Sequence, residues 1–205
     1  MRRKVFDILA SGGGLVVVVV LVIAGGLLLW GHSFSDSNVR DQLSEQQVYF
    51  PPKAAFATAK PGTEITPAMI PYIEKYAGQE VLTGQQAEAY ADHFIAIHLS
   101  ELPYGGVYSK LSTAARADPT SKKLAALEQT SFQGTTLRGL LLEAYGFSYL
   151  GLIALWGAIA AFVLAFVMLV LVGLGFRHAR RTEEDTQLLA VRTRTEQKSR
   201  KPVTA

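Results

Sequence analysis

The sequence predicts an all-α chain in which two transmembrane helices flank an extracytoplasmic helical bundle. Residues 8–31 and 144–176 form long runs without Asp, Glu, Lys, Arg or His, and a run of about 20 apolar residues suffices to cross a bilayer as a helix. Basic residues gather on the far side of both runs. Between the runs lie helix caps, helix breakers and apolar residues recurring at three- and four-residue spacing. The boundaries that follow are a cytoplasmic start over 1–7, a first transmembrane helix over 8–31 and an extracytoplasmic helical domain over 32–147. A second transmembrane helix over 148–176 and a basic cytoplasmic tail over 177–205 complete the chain.

The first run reads GGGLVVVVVLVIAGGLLLWG, and Val16 to Val20 alone would suit a buried strand. Length decides for a helix: a bilayer supplies roughly 30 Å of hydrocarbon and a small soluble core does not. A cleaved signal peptide is the competing reading of the MRRK start. The apolar stretch is longer than a signal core and runs into Trp30 without an A-x-A site, which favours an uncleaved anchor. Neither run holds an ionisable residue, so the usual marks of an ion path or proton relay are missing.

Orientation follows from charge. Arg2, Arg3 and Lys4 precede the first run, and Arg177, Arg180, Arg181 and five further basic residues follow the second, so both termini carry the cytoplasmic mark of a plasma-membrane protein. Residues 32–143 hold 9 Lys and Arg against 12 Asp and Glu, whereas the two ends hold 11 against 5. The basic balance therefore belongs to the ends. Beside a span, Arg177, Arg180 and Arg181 are expected to contact anionic lipid rather than nucleic acid. Thr182-Glu183-Glu184-Asp185 before Leu188, Leu189 and Val191 would cap a short amphipathic helix lying on the membrane. The chain has no cysteine, hence no disulfide and no thiolate ligand or nucleophile.

Within the outer segment, residues 35–47 extend the first helix until Tyr49-Phe50-Pro51-Pro52 stops it. A linker runs through Pro61-Gly62. Thr66-Pro67 sets an N-cap and first helical position for a short helix with Ile70, Ile73, Tyr76 and Ala77 on one face, ending at Gly78. Thr83 and Gln86 form a capping-box pattern. The helix they open carries Ala87, Tyr90, Ala91, Phe94, Ile95, His98 and Leu102 on its apolar side and Gln85, Glu88, Asp92 and Ser100 on the other. Pro103-Tyr104-Gly105-Gly106 ends it. One helix follows over 107–117, another from Asp118-Pro119 to Phe132, and Gly134 breaks the chain before a last helix over 135–145 that enters the second run through Gly146.

Candidate chemistry is sparse. His32 and His178 sit at the edges of the two runs, where interfacial roles are usual. His93 and His98 are five residues apart, about 140° around a helix, whereas two ligands from one helix need three or four. His98 shares the apolar stripe with Phe94 and Leu102 and is expected to pack, with a backbone carbonyl or Glu101 as partner. If the domain holds a ligand pocket, Tyr90, Phe94, His98 and Tyr104 are its expected lining. Glu88 and Asp92, one turn apart, read as a solvated acidic pair. There is no G-x-S-x-G elbow, phosphate loop or dinucleotide fingerprint. No catalytic residue, metal site or cofactor is therefore expected. In the second run Gly157, Ala161 and Ala165 form a small-residue stripe on which Gly25-Gly26 of the first run, or a second copy, could pack.

The run YIEKYAGQEVLTGQQAEAYADHFIAIHLSELPYGGVYSKLS, with VRDQLSEQQVYFPP before it and SFQGTTLRGLLLEAYGF after it, resembles a family of uncharacterised actinobacterial two-span membrane proteins. Such proteins are sometimes labelled aromatic ring-opening dioxygenases. That label implies an Fe(II) site of two His and one carboxylate, which His93 and His98 are badly disposed to supply. The expected function is non-enzymatic: an accessory or scaffold subunit of a cell-envelope assembly, with membrane lipid and a membrane protein or a second copy as partners. A small-molecule or lipid sensing module is the alternative, and a metal-dependent dioxygenase the third reading.

Overall fold

The computed structural model describes residues 3–181, and among them every regular element is helical. Helix α1 (Arg3–Gln46) has 44 residues and α7 (Lys122–Arg181) has 60, about 66 and 90 Å at 1.5 Å per residue. Both are long and apolar enough to cross a membrane. Between them lie α2 (Lys53–Ala57), α3 (Ile70–Ile73), α4 (Gly84–Tyr90), α5 (Ala96–Ser100) and α6 (Tyr108–Ala117). The tail helix expected over 182–191 lies outside the described residues. The chain divides into two units, one of residues up to Leu27 together with those from Gly157, the other Leu28–Trp156.

In the first unit the buried positions of α1 are Ser11, Val18 and Gly25, and those of α7 are Ala158, Ala161, Ala165, Val172 and Ala179. Most are seven residues apart, the spacing that keeps one seam of a helix against its neighbour. The pairing is antiparallel: a Cβ at Gly14 would stand 2.7 Å from Val172, one at Gly25 3.0 Å from Phe162, and one at Gly175 would collide with the Ser11 hydroxyl. Small residues let the backbones approach, and dispersion between them holds the pair. Ala161 and Ala165 of the sequence-predicted stripe are in this seam. Gly157 is only half-buried and Ala158 takes its place, because the seam alternates three- and four-residue steps. Gly26 approaches nothing. Away from the seam, Val16, Leu27 and Phe166 are each more than 60% exposed, an apolar surface on all sides that water would penalise.

In the second unit α1 continues to Gln46 and stops at Gln47, whose φ is +51°. Residues 48–51 then run antiparallel to 78–81 through the bonds Phe50 N to Gln79 O (2.9 Å) and Val81 N to Val48 O (2.8 Å). The expected linker is partly helical: α2 starts after Pro52 and buries Phe56, and the loop beyond it buries Ile65. Thr66 does not act as a side-chain cap. Its hydroxyl is buried without a hydrogen-bond partner, and α3 starts later, at Ile70, passing into a 3-10 turn over Glu74–Tyr76. Gly78, at φ +71°, ends this segment.

The Thr83 and Gln86 capping box forms as expected. The regular helix predicted beyond it does not: Ala91–Ile95 is a π-helical turn between α4 and α5. One extra residue in that turn rotates everything after it relative to an ideal helix. A 3-10 turn over Pro103–Gly106 follows, with Tyr104 at φ +60°. Gly106 is buried at φ +66°, and a Cβ there would collide with the Leu99 carbonyl.

Helix α7 starts at Lys122 behind the Ser121 hydroxyl, which accepts the Leu124 N–H. It passes Gly134 without interruption, contrary to the break expected there. Gly134 serves packing: a Cβ at that position would lie 2.8 Å from Leu99 Cδ2. Lost helix propensity of about 1 kcal/mol is outweighed by the rest of the long helix and by the room left for Leu99. Val39 and Leu43 of α1, Phe50, Phe56, Ile65, Met69, Ile73 and Val81, Ala87, Ala91 and Ile95, and Leu141 of α7 make one core. Each of its large side chains contributes about 1.5–3 kcal/mol on burial.

Candidate functional site

A cleft of about 730 Å³ opens within the Leu28–Trp156 unit. Helix α1 lines it with His32 and Asp36, one turn apart. Tyr72 comes from α3, and Lys75 and Tyr76 from the 3-10 turn behind it; α4 adds Gln85, Glu88 and Ala89. The π turn adds His93, and α7 adds Tyr145, Ser148, Tyr149 and Leu152. The helices close tightly behind it. A Cβ at Gly84 would lie 2.7 Å from Ser148 Oγ, and one at Gly151 2.8 Å from Ser35 Oγ. Ser35 donates to the Phe147 carbonyl at 2.7 Å.

His32 Nδ1 lies 3.0 Å from the Gly151 carbonyl oxygen. A carbonyl can only accept, so Nδ1 carries the hydrogen and the neutral ring keeps Nε2 as an acceptor. His93 lies flat on Tyr72, with centroids 3.6 Å apart and planes 4° from parallel. Lys75 Nζ stands 4.7 Å from the centre of the Tyr76 ring, a cation–π contact. Among the Asp, Glu, Lys and Arg side chains of the lining, Asp36 and Glu88 outnumber Lys75.

The expected pocket residues are arranged differently. Tyr90, Phe94 and His98 form a ladder of rings along one helix face, 4.7 and 4.5 Å between successive centroids, and Phe50 meets Tyr90 at 5.3 Å. His98 Nδ1 contacts the Phe94 carbonyl at 2.8 Å, the packing role expected of it. Tyr104 is 56% exposed on the turn after α5. None of the four lines the cleft. Burial raises the Tyr90 pKa above the usual phenol value, and the Glu64 carboxylate adds to the effect.

His93, about 140° from His98 by regular helical spacing, lies within the π turn and lines the cleft. Five residues separate it from Glu88, and the wider turn brings both to one side. Asp92 is thereby turned to Arg138 of α7, whose Nη2 donates to it at 2.6 Å. The solvated acidic pair read from Glu88 and Asp92 is thus divided between a cleft and an ion pair. His93 and His98 have separate surroundings, and among the described residues no three His, Asp or Glu side chains converge on a metal position. At the ends of α1 and α7, His178 Nε2 lies 3.9 Å from Asp7 Oδ2. Arg177, Arg180 and Arg181 are exposed in the last turns of α7, where cations also suit the helix dipole.

Neither the tyrosines at 145 and 149 nor His32 and Asp36 as a pair stand out from the sequence, although the four-residue spacing of each is visible there. Nothing local marks the π turn. Compared with family models, curated proteins and solved structures, the chain finds no match.

Proposed function

We propose that this is a two-pass plasma-membrane protein with both termini cytoplasmic and its helical domain outside, working by contact as an accessory or scaffold subunit of an envelope assembly. The observation that carries the membrane reading is the small-residue seam between α1 and α7, with apolar side chains exposed on every other side. Such a pair is suited to hydrocarbon solvent, where close packing replaces the hydrophobic effect. The basic flanks support the orientation, and the resemblance to two-span membrane proteins agrees. Contact rather than catalysis is supported by how the domain uses its ionisable groups: Asp92 in an ion pair, His98 in packing, His93 in a stack. Native purification in mild detergent followed by mass spectrometry tests the proposal. A stoichiometric protein partner, or a stable oligomer of this chain, is the expected result; a monomer without partners refutes it.

The cleft favours a second reading, a small-molecule or lipid binding module. Its volume falls within the roughly 300–1,000 Å³ of ordinary ligand sites. Its aromatic and charged lining is the usual mixture for holding and orienting a ligand.

A further inference from the structure

We propose that the cleft binds an organic ammonium group, carried either by a lipid headgroup or by a free alkylamine. The proposal rests on the binding-module reading and names its ligand chemistry. Asp36 and Glu88 supply two carboxylates, while Lys75, the one Lys or Arg of the lining among the described residues, is already placed over Tyr76. An anionic ligand would meet both carboxylates and find that ammonium engaged. A cationic one meets complementary charge.

The rings act in the same direction. Tyr72, Tyr145 and Tyr149 line the same cleft, and Tyr72 and Tyr149 are 48% and 54% exposed. The faces of aromatic rings attract ammonium groups within about 6 Å, which is how quaternary amines are commonly held. In its neutral form His32 adds an acceptor, since its Nδ1 is committed to the Gly151 carbonyl. A metal ion fits less well, because it needs three or more donors converging at about 2 Å and no such group occurs among the described residues. An alkylammonium needs only carboxylates and ring faces at hydrogen-bond and van der Waals range.

The position of the lining along the chain gives the ligand a route. His32 follows directly on the first apolar run, and Tyr149 and Leu152 belong to the second. Under the two-pass reading these residues stand at headgroup depth, where an aminophospholipid presents its ammonium and Leu152 meets the first part of its chains. The same groups would take a free amine from the aqueous side.

The test uses the full-length chain in neutral detergent with three probes: phosphatidylethanolamine, phosphatidylglycerol and butylammonium chloride. Binding is followed by native mass spectrometry for the lipids and by calorimetry for the amine. At least one amine probe should bind saturably, and at least fivefold more tightly than phosphatidylglycerol. Ethanolamine lipid alone identifies the headgroup as the source; butylammonium binding identifies a free amine. Asp36→Asn with Glu88→Gln should weaken that binding at least fivefold. Asp36 is exposed and Glu88 half-buried, and Tyr149→Leu, also at an exposed ring, serves as an independent variant with the same expected loss. Absence of saturable amine binding, a smaller loss in the folded variants, or equal affinity for phosphatidylglycerol overturns the proposal. Binding in detergent does not depend on orientation in the cell, so an inverted topology would sink the proposed orientation without touching amine binding, and the converse holds.

Discussion

Ser131 donates its hydroxyl hydrogen to the Gly106 carbonyl oxygen at 2.6 Å across 25 residues of chain, and both residues are buried. This bond ties the turn after α5 to the N-terminal part of α7. Gly106 also lies against the Leu99 carbonyl, and Leu99 in turn fills the space above Gly134. Ser131→Ala should therefore cost ~1–3 kcal/mol, the usual effect of stranding a buried carbonyl. Gly106→Ala should cost more, since the φ of +66° and the carbonyl contact both resist a Cβ. Thermal unfolding in detergent, followed by circular dichroism, ranks the two; a milder Gly106→Ala would show that the turn relaxes freely.

Ala161 is 8% exposed within the small-residue seam of the first unit. Replacing it with Ile should overpack the seam and lower stability by ~1–3 kcal/mol. Ile at Val163, which is 56% exposed, should be nearly neutral. Equal melting temperatures for the two variants would remove the seam as a stabilising element.

The two histidines of the α4 to α5 segment should separate by readout. His98→Ala loses the Phe94 contacts and should lower stability by ~1–2 kcal/mol. His93→Ala loses a stack with an exposed tyrosine and should cost under about 1 kcal/mol. If both variants abolished function in cells at unchanged stability and protein level, the pair would be chemical rather than structural.

Tyr90 makes stability fall at alkaline pH. Its folded pKa lies above the unfolded value of 10.0, because burial and then Glu64 disfavour the phenolate. The folded state thus holds its proton more tightly. The contribution is complete below about pH 10 and is lost as pH rises through the folded pKa. Tyr90→Phe should flatten the decline of melting temperature as pH rises above about 10. A slope identical to that of the unaltered chain would refute the assignment.

For topology, the cysteine-free chain accepts single cysteines at Ser121 and Thr195. An impermeant thiol reagent on intact cells should label position 121 and spare 195. Labelling of 195 alone would invert the orientation.

Local chemistry was legible where a few neighbouring residues decide it. The Thr83 and Gln86 box closes over three residues, and polar residues 35–47 extend a helix because nothing before Gln47 interrupts it. Gly134 misleads for the opposite reason: a lone glycine reads as a breaker, and only Leu99, distant in sequence, shows that it is a packing position.

By itself the sequence determined that the described chain is helical and where two apolar helices long enough for a bilayer lie. These follow from side-chain periodicity, length and capping, which act over one or two turns. The tertiary structure alone decided that a π turn redirects His93 and Asp92, that Ala158 rather than Gly157 enters the seam, and that the cleft gathers Tyr72, Glu88, His93 and Tyr149 instead of Tyr90, Phe94, His98 and Tyr104. The physical reason is that a cleft is what remains after α1, α3, α4 and α7 have packed, and its lining is chosen by contacts between residues that no local pattern relates.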